Sequence, residues 1–392
     1  MTRYALPWLI CATLYAAPDR LSQDLNQFGT ASYQQLAQGD GNLIFSPFSI
    51  SGALSMTLAG ARGETAKAIA GVLHQNRSQA AYPEAFMALV ANLGQRANGS
   101  GNELLNANGL WVDSGLRLEP DFLATLRTKY QASLSPLDFA RNLEGARTAI
   151  NRWTQEHTKG KIRELFAPGS LDESTRLVLS SAVYFYGKWE HPFQPNQTRL
   201  APFKLGNGST VETSFMKQTG RFGYAETPTA QILEMKYAGT GLALDVLLPK
   251  PGSSLRDLEG RLTEDHLAGW LAELSDRNVE VLIPKFRVES QFSLREMLSR
   301  MGMGRAFTGS ADFSGIDGRR DLALSNVLHK ALVDVSEEGT EAAAATGSAV
   351  ALVRMVVPEH TVFRADHPYV FLIRDAQSGL VLFAGRLTNP KN

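Results

Sequence analysis

The chain has 392 residues, one cysteine, and 39 basic against 39 acidic side chains, so its formal net charge is 39 − 39 = 0. That balance offers no electrostatic handle to nucleic acid or an acidic membrane surface, and the single Cys11 excludes an intramolecular disulfide, leaving stability to packing. With 44% hydrophobic residues, 20% charged residues and no compositional break, one large domain over residues 18–392 is expected.

Residues 1–17 place Arg3 ahead of an apolar stretch that ends in Ala16 and Ala17, just before Asp19 and Arg20. This is the pattern of a short signal peptide, and its apolar part is too short to span a bilayer. A secreted or periplasmic protein is therefore expected, with Cys11 lost on cleavage. From Leu21, apolar residues recur near helical spacing at Leu25, Phe28 and Leu36, and similar patterns cover 50–58 and 65–73. A strand is expected over 104–112, then helices over 120–129 and 143–157, the second ending at Gly160. Beyond it the runs 177–186, 242–248, 279–283 and 323–335 are apolar or alternating, with helical insertions at 263–274 and 293–300. Helices and strands in blocks, without regular β-α-β alternation, define an α+β fold with large, mostly antiparallel sheets.

No motif for catalysis stands out. The chain lacks a Gly-X-Ser-X-Gly elbow, a His-Glu-X-X-His helix and a phosphate loop, and its seven histidines lie far apart, without metal-ligand spacing. Neither enzymatic activity, metal nor cofactor is expected. His329 stands out differently, as a polar residue within the β run 323–335, where a buried histidine must be hydrogen-bonded and can latch a sheet. After that run, 333–360 reads VDVSEEGTEAAAATGSAVALVRMVVPEH, in which 340–348 has only small side chains apart from Glu341. Alanine propensity alone would make this a surface helix or loop.

The surrounding residues decide otherwise. NLIFSPFSISGAL at 42–54 leads into LAGARGET, and INRWTQEHTKGKI (150–162) and AVYFYGKWEHPF (182–193) are followed by Thr198 and Phe203. IPKFRVES, MGMGRAFTGSADFSGI, LSNVLHKALVDVSEEGTEAAAAT and FRADHPYVFLIRDAQSGLVLFAGR complete an ordered set over about residues 20 to 390. This set resembles the serpins, inhibitory type, with the hinge EEGTEAAAAT as its most specific member.

The resemblance implies three β-sheets, about nine helices and an exposed reactive loop over about 337–358. It also implies a monomer that traps a serine protease covalently by inserting the cleaved loop into its central sheet, and that can form loop-sheet polymers. The hinge would be Glu337, Glu338, Gly339, Thr340, Glu341, Ala342, Ala343, Ala344, Ala345 and Thr346, whose small side chains pass easily between packed strands. Ser46, Ser49, Asn151, Ser181 and His329 match positions that latch the middle of the central sheet. Most family members have Asn where this chain has Ser181, a shorter side chain that implies a weaker or rewired latch. Trp189 matches the residue over the opening of the sheet, where Lys285 and Glu337 would pair.

Counting from Glu337 sets the scissile bond between Val353 and Arg354, for an elastase-like target. The alternative, Arg354–Met355, would suit a trypsin-like one. Arg96 is the sole basic residue between Tyr82 and Gly101, which argues against a heparin-type cofactor. The competing readings are a non-inhibitory member acting as chaperone or carrier, and a hydrolase on the same fold.

Overall fold

The computed structural model describes residues 19–75, 77–97, 101–130, 135–340 and 361–391. The helical third comprises α1 (Arg20–Leu36), α2 (Pro47–Gly60), α3 (Gly63–Val72), α4 (Tyr82–Ala97), α5 (Pro120–Lys129) and α6 (Leu143–His157), with α7 (Leu255–Glu259) and α8 (Glu264–Ala272) later in the chain. The early strands are β1 (Leu43–Phe45), β2 (Glu103–Asp113), β3 (Ser135–Leu137), β4 (Leu177–Lys188), β5 (Arg199–Lys204) and β6 (Thr210–Glu226). They are followed by β7 (Ala230–Lys236), β8 (Leu242–Pro249), β9 (Ser275–Pro284), β10 (Phe286–Ser293), β11 (Asn326–Ser336), β12 (Gly339–Thr340), β13 (Thr361–Arg364), β14 (Tyr369–Asp375) and β15 (Val381–Leu387).

By hydrogen bonding these strands form two sheets among the described residues. One has nine strands, in the order β1-β15-β14-β8-β7-β6-β9-β13 with β5 on β6, and the other six, in the order β10-β11-β12-β4-β2-β3. The resemblance implies three sheets, and the difference in count arises because the nine-stranded sheet has two parts. The 17-residue β6 joins them, pairing with β5 and β9 along most of its length and with β7 at its end. Most pairings are antiparallel, as alternating sequence patterns favour. The parallel ones are β11–β4, β2–β3 and β13–β9.

The six-stranded sheet carries the functional argument. β4 (LVLSSAVYFYGK) has little polarity to alternate because both its faces are covered. Leu177, Leu179, Val183 and Phe185 join the main core, while Val178 and Ala182 pack against a second core with Ile150 of α6. Behind the sheet lies α2, buried along almost its whole length. A helix apolar on all sides is a core helix. Ser46 caps it, accepting from the Ser49 amide at 3.0 Å, and Pro47 opens its first turn, where proline costs no hydrogen bond.

Candidate functional site

β11 and β4 run parallel and pair directly over seven positions, from Asn326↔Val178 to Leu332↔Tyr184. Above that seam the strands part. The chain turns back after Ser336, and β12 enters antiparallel to both neighbours, with Thr340 opposite Val335 and Gly187, and Gly339 opposite Ser336 and Lys188. The first two residues of an additional central strand are therefore already seated.

This wedge requires glycine. Gly339 has φ +143°, and a Cβ there would lie 1.9 Å from the Gly187 carbonyl oxygen. Gly339→Ala is accordingly expected to expel β12 and destabilise the native state by about 2–3 kcal/mol, read as a lower urea midpoint and faster proteolysis next to Glu338. An unchanged midpoint would show that the wedge contributes nothing.

Trp189 receives the turn. Its indole N–H donates to the Ser336 carbonyl at 2.9 Å and its amide to the Glu338 carbonyl at 2.9 Å, while the Phe193 amide donates to the Glu337 carbonyl at 2.8 Å. The ring is 3% exposed and stacks on Tyr237, with centroids 4.6 Å apart. Glu337 accepts from Thr198 Oγ1 at 2.9 Å and pairs with Lys285 Nζ at 2.8 Å. Burial pushes its carboxyl upward, but the bonds from Lys285, the backbone and Thr198 outweigh that and hold it below the usual carboxylate range. The Lys285 side chain is 41% exposed, so the ion pair itself contributes little, on the order of 0.2–1 kcal/mol.

Lower in the seam lies the latch. His329 is fully buried, its Nε2 accepting from the Ser46 amide at 3.0 Å and its Nδ1 3.0 Å from Ser181 Oγ. An Nε2 that accepts leaves the neutral ring with its proton on Nδ1, donated to Ser181. Ser181 Oγ lies 2.8 Å from Ser49 Oγ, which donates to Asn106 Oδ1 (2.7 Å) or Asn108 Oδ1 (2.9 Å), its single proton serving one at a time. The chain of bonds thus crosses from β11 through β4 to α2 and β2. Burial lowers the His329 pKa to about 3, against the opposing effect of Ser181.

The structure distinguishes two alternatives of the sequence reading and corrects it at one residue. Ser181, short as it is, bonds at both ends by accepting and donating through one oxygen, and Asn106 and Asn108 add contacts on β2, so the latch is rewired. Asn151 lies apart from the latch. It sits on α6 and binds the segment after that helix, donating to the Phe166 carbonyl at 2.8 Å and accepting from the Leu165 and Phe166 amides at 3.0 and 2.8 Å. Asn106 and Asn108 left a signal in the sequence, two polar residues at strand spacing in LLNANGLW, but nothing local named Ser49 as their partner.

Glu337, Glu338, Gly339 and Thr340 lie at the wedge. Glu341, Ala342, Ala343, Ala344, Ala345, Thr346, Val353, Arg354 and Met355 lie outside the described residues, as do residues 1–17. Arg96 is bound bidentately by Asp375, at 2.7 and 2.8 Å, which commits the one basic residue of its helix. Among the described residues no cluster of three or more metal-ligating side chains occurs, and no helix is long and apolar enough to cross a membrane.

Comparison with known proteins agrees with this geometry. Residues 23–390 match the family described as Serpin (serine protease inhibitor). The leukocyte elastase inhibitor of Bos taurus is 41% identical over 358 residues, covering 89% of this chain and 93% of that protein. An uncharacterized serpin-like protein of Thermococcus kodakarensis is 39% identical over 369 residues, covering 94% and 85%. The crystal structure of human thyroxine-binding globulin superposes with a TM-score of 0.86 at 28% identity, covering 97% of this chain and 100% of that one. With its sequence matched almost end to end and its central sheet parted by the start of a new strand, the chain belongs to the serpins, the serine protease inhibitor family.

Proposed function

We propose that the protein is a single-use, covalent inhibitor of a serine protease with elastase-like specificity, trypsin-like specificity being the alternative. The observation that carries this reading is the two-residue wedge of β12 above a closed parallel seam. A strand antiparallel to both neighbours satisfies both open edges, which is β-strand addition within one molecule.

The register gives the extent of insertion. With position 340 opposite Val335 and Gly187, each further residue would on insertion fall opposite the preceding residue of both strands, so position 346 would meet His329 and Ser181. Position 349 meets Asn326 and Val178, where the seam ends. A cut after Val353 leaves all of that strand on the inserting side. The protease serine attacks the Val353 carbonyl, the Arg354 amine leaves, and the ester-linked protease is carried with the strand before water can hydrolyse it.

The carrier alternative, raised by the likeness to thyroxine-binding globulin, needs a ligand-sized apolar cavity. The pocket between α1 and β15 measures about 10 Å³, room for a single water at most, so that pocket does not favour the carrier reading. We further propose export with removal of residues 1–17, for which Edman sequencing of the mature protein should begin near Pro18.

The test is to mix the protein separately with an elastase and a trypsin. A denaturant-resistant complex with elastase and a released peptide beginning at Arg354 are expected, whereas a peptide beginning at Met355 would move the target to the trypsin type. Cleavage without complex by either protease would sink the inhibitory reading in favour of a chaperone or carrier.

A further inference from the structure

Three Asn-Gly pairs occur in the sequence, beginning at Asn98, Asn108 and Asn207, and the structure puts the last two in opposite surroundings. Asn108 and Gly109 lie within β2, paired with Ser181 and Ser180 of β4, and the Asn108 side-chain amide donates to the Ser49 carbonyl at 2.8 Å. Asn207 and Gly208 instead form the exposed turn between β5 and β6. Asn98 lies outside the described residues.

Two backbone bonds close that turn, from the Leu205 amide to the Ser209 carbonyl at 2.7 Å and from the Gly208 amide to the Leu205 carbonyl at 2.9 Å. Gly208 has φ +84°, in the left-handed region that glycine enters freely, and a Cβ there would meet nothing within 4 Å. The Asn207 side-chain oxygen accepts twice from Ser209, from its amide at 3.0 Å and from its hydroxyl at 2.7 Å. Two donors on one carbonyl oxygen polarise the carbonyl and stabilise the oxyanion formed on attack. The nearest nucleophile is the Gly208 nitrogen, which closes a five-membered ring on Asn207 Cγ once its own bond to Leu205 opens.

We propose that Asn207 is a self-modification site, at which the chain converts its own asparagine to aspartate and isoaspartate in water. Hydroxide removes the Gly208 amide proton, the nitrogen bonds to Asn207 Cγ, and the carbonyl electron pair moves to Oδ1 under the two Ser209 donors. Collapse breaks the Cγ–Nδ2 bond and, with a proton from water, releases ammonia, regenerates hydroxide and leaves a succinimide. Water then opens the ring at Cγ, giving aspartate, or at the main-chain carbonyl of residue 207, giving isoaspartate. The sum is asparagine plus water to acid plus ammonia, with no redox change.

The isoaspartyl product lengthens the main chain by one carbon inside the turn. Lys204, at the foot of the turn, ties β5 to the segment after β13 by donating its amide to the Asp366 carbonyl at 2.7 Å, and the longer turn loosens that tie. None of this depends on a protease partner.

The test incubates the folded full chain in mildly alkaline buffer and follows, peptide by peptide, the gain of about one mass unit, with isoaspartyl methyltransferase labelling of the products. Asn207 is expected to react at least tenfold faster than Asn108, whose strand holds both residues in the ladder. Ser209→Ala keeps the amide donor, removes the hydroxyl and should slow the reaction about fivefold, and Gly208→Ala should slow it more. In urea, where the turn is gone, Asn108 should approach Asn207 and the Ser209→Ala effect should vanish. Asn207 no faster than Asn108 in the folded chain would overturn the site. An unchanged rate in folded Ser209→Ala, or an equal loss in urea, would overturn the role of the hydroxyl. Amide exchange at Lys204 should be at least tenfold faster in the isoaspartyl form, and unchanged exchange would overturn the loosening.

Discussion

Thr340→Arg turns the inhibitor into a substrate: the protease cleaves the loop at its usual bond, but denaturant-resistant complex falls by tenfold or more. Position 340 is registered opposite Val335, and Val327, His329, Ala331, Val333 and Val335, on that face of β11, are all fully buried. A guanidinium substituted there is expected to expel β12 from the fork, and insertion must then bury it in the core without a partner, at a cost of several kcal/mol. In the proposed mechanism the acyl-enzyme partitions between hydrolysis and insertion, and about 1.4 kcal/mol on the insertion barrier already changes that ratio tenfold.

Glu341→Arg supplies the contrast. On insertion in the register of β12 its partners would be Asp334 and Tyr186, and Asp334 faces Arg287 on the outer side of the sheet. An arginine at 341 meets a carboxylate where glutamate met a like charge, so trapping stays within about threefold of the parent. Equal loss in both variants would show that any charge in the hinge blocks insertion, whichever face it takes. Undiminished trapping by Thr340→Arg would remove loop insertion as the mechanism. On insertion, the one charged residue among the small side chains of the hinge would thus fall on the face that tolerates it.

This alternation also bears on what sequence could reveal. Periodicity alone placed α5 and α6 with their observed ends, because an amphipathic helix between good stop signals is a local property. β2 and β4 were legible as apolar, strand-like runs. β12 was not, since two residues have no period, and its existence depends on a gap between strands that lie more than 130 residues apart in sequence. His329 was legible as a polar residue in an apolar strand, but its partners Ser46, Ser49 and Ser181 only through family resemblance, since the bonds among the four span up to 283 residues. Asn151 shows the limit of that route. Its position matched the latch, but its amide is taken by the Leu165–Phe166 backbone.

The latch makes a second prediction of large effect. Native His329 stays neutral down to about pH 3, whereas an unfolded histidine takes up a proton near pH 6.5. Between those values the unfolded state binds more protons, so stability is complete above about pH 6.5 and is lost as pH falls, by up to about 1.4 kcal/mol per unit. From pH 6.5 to pH 5 this group should therefore remove about 2 kcal/mol. Asp245 opposes it: buried with Glu234 beside Arg374, its carboxyl is pushed upward by burial, so the native state gains a proton that the unfolded chain does not. The net pH dependence of the parent consequently mixes both signs, and the informative quantity is the difference between parent and His329→Gln. That variant is expected to be less stable at pH 7 by about 1–3 kcal/mol, the usual cost of disrupting a buried hydrogen-bond network, but the gap should close by about 2 kcal/mol at pH 5. Urea unfolding at both pH values measures it. Polymerisation on mild heating should follow the same difference, the parent being accelerated more than the variant on going from pH 7 to pH 5. Parallel pH profiles for the two proteins would show that the seam is not held by a neutral His329, and the site of any acid sensitivity would have to be sought elsewhere in the sheet.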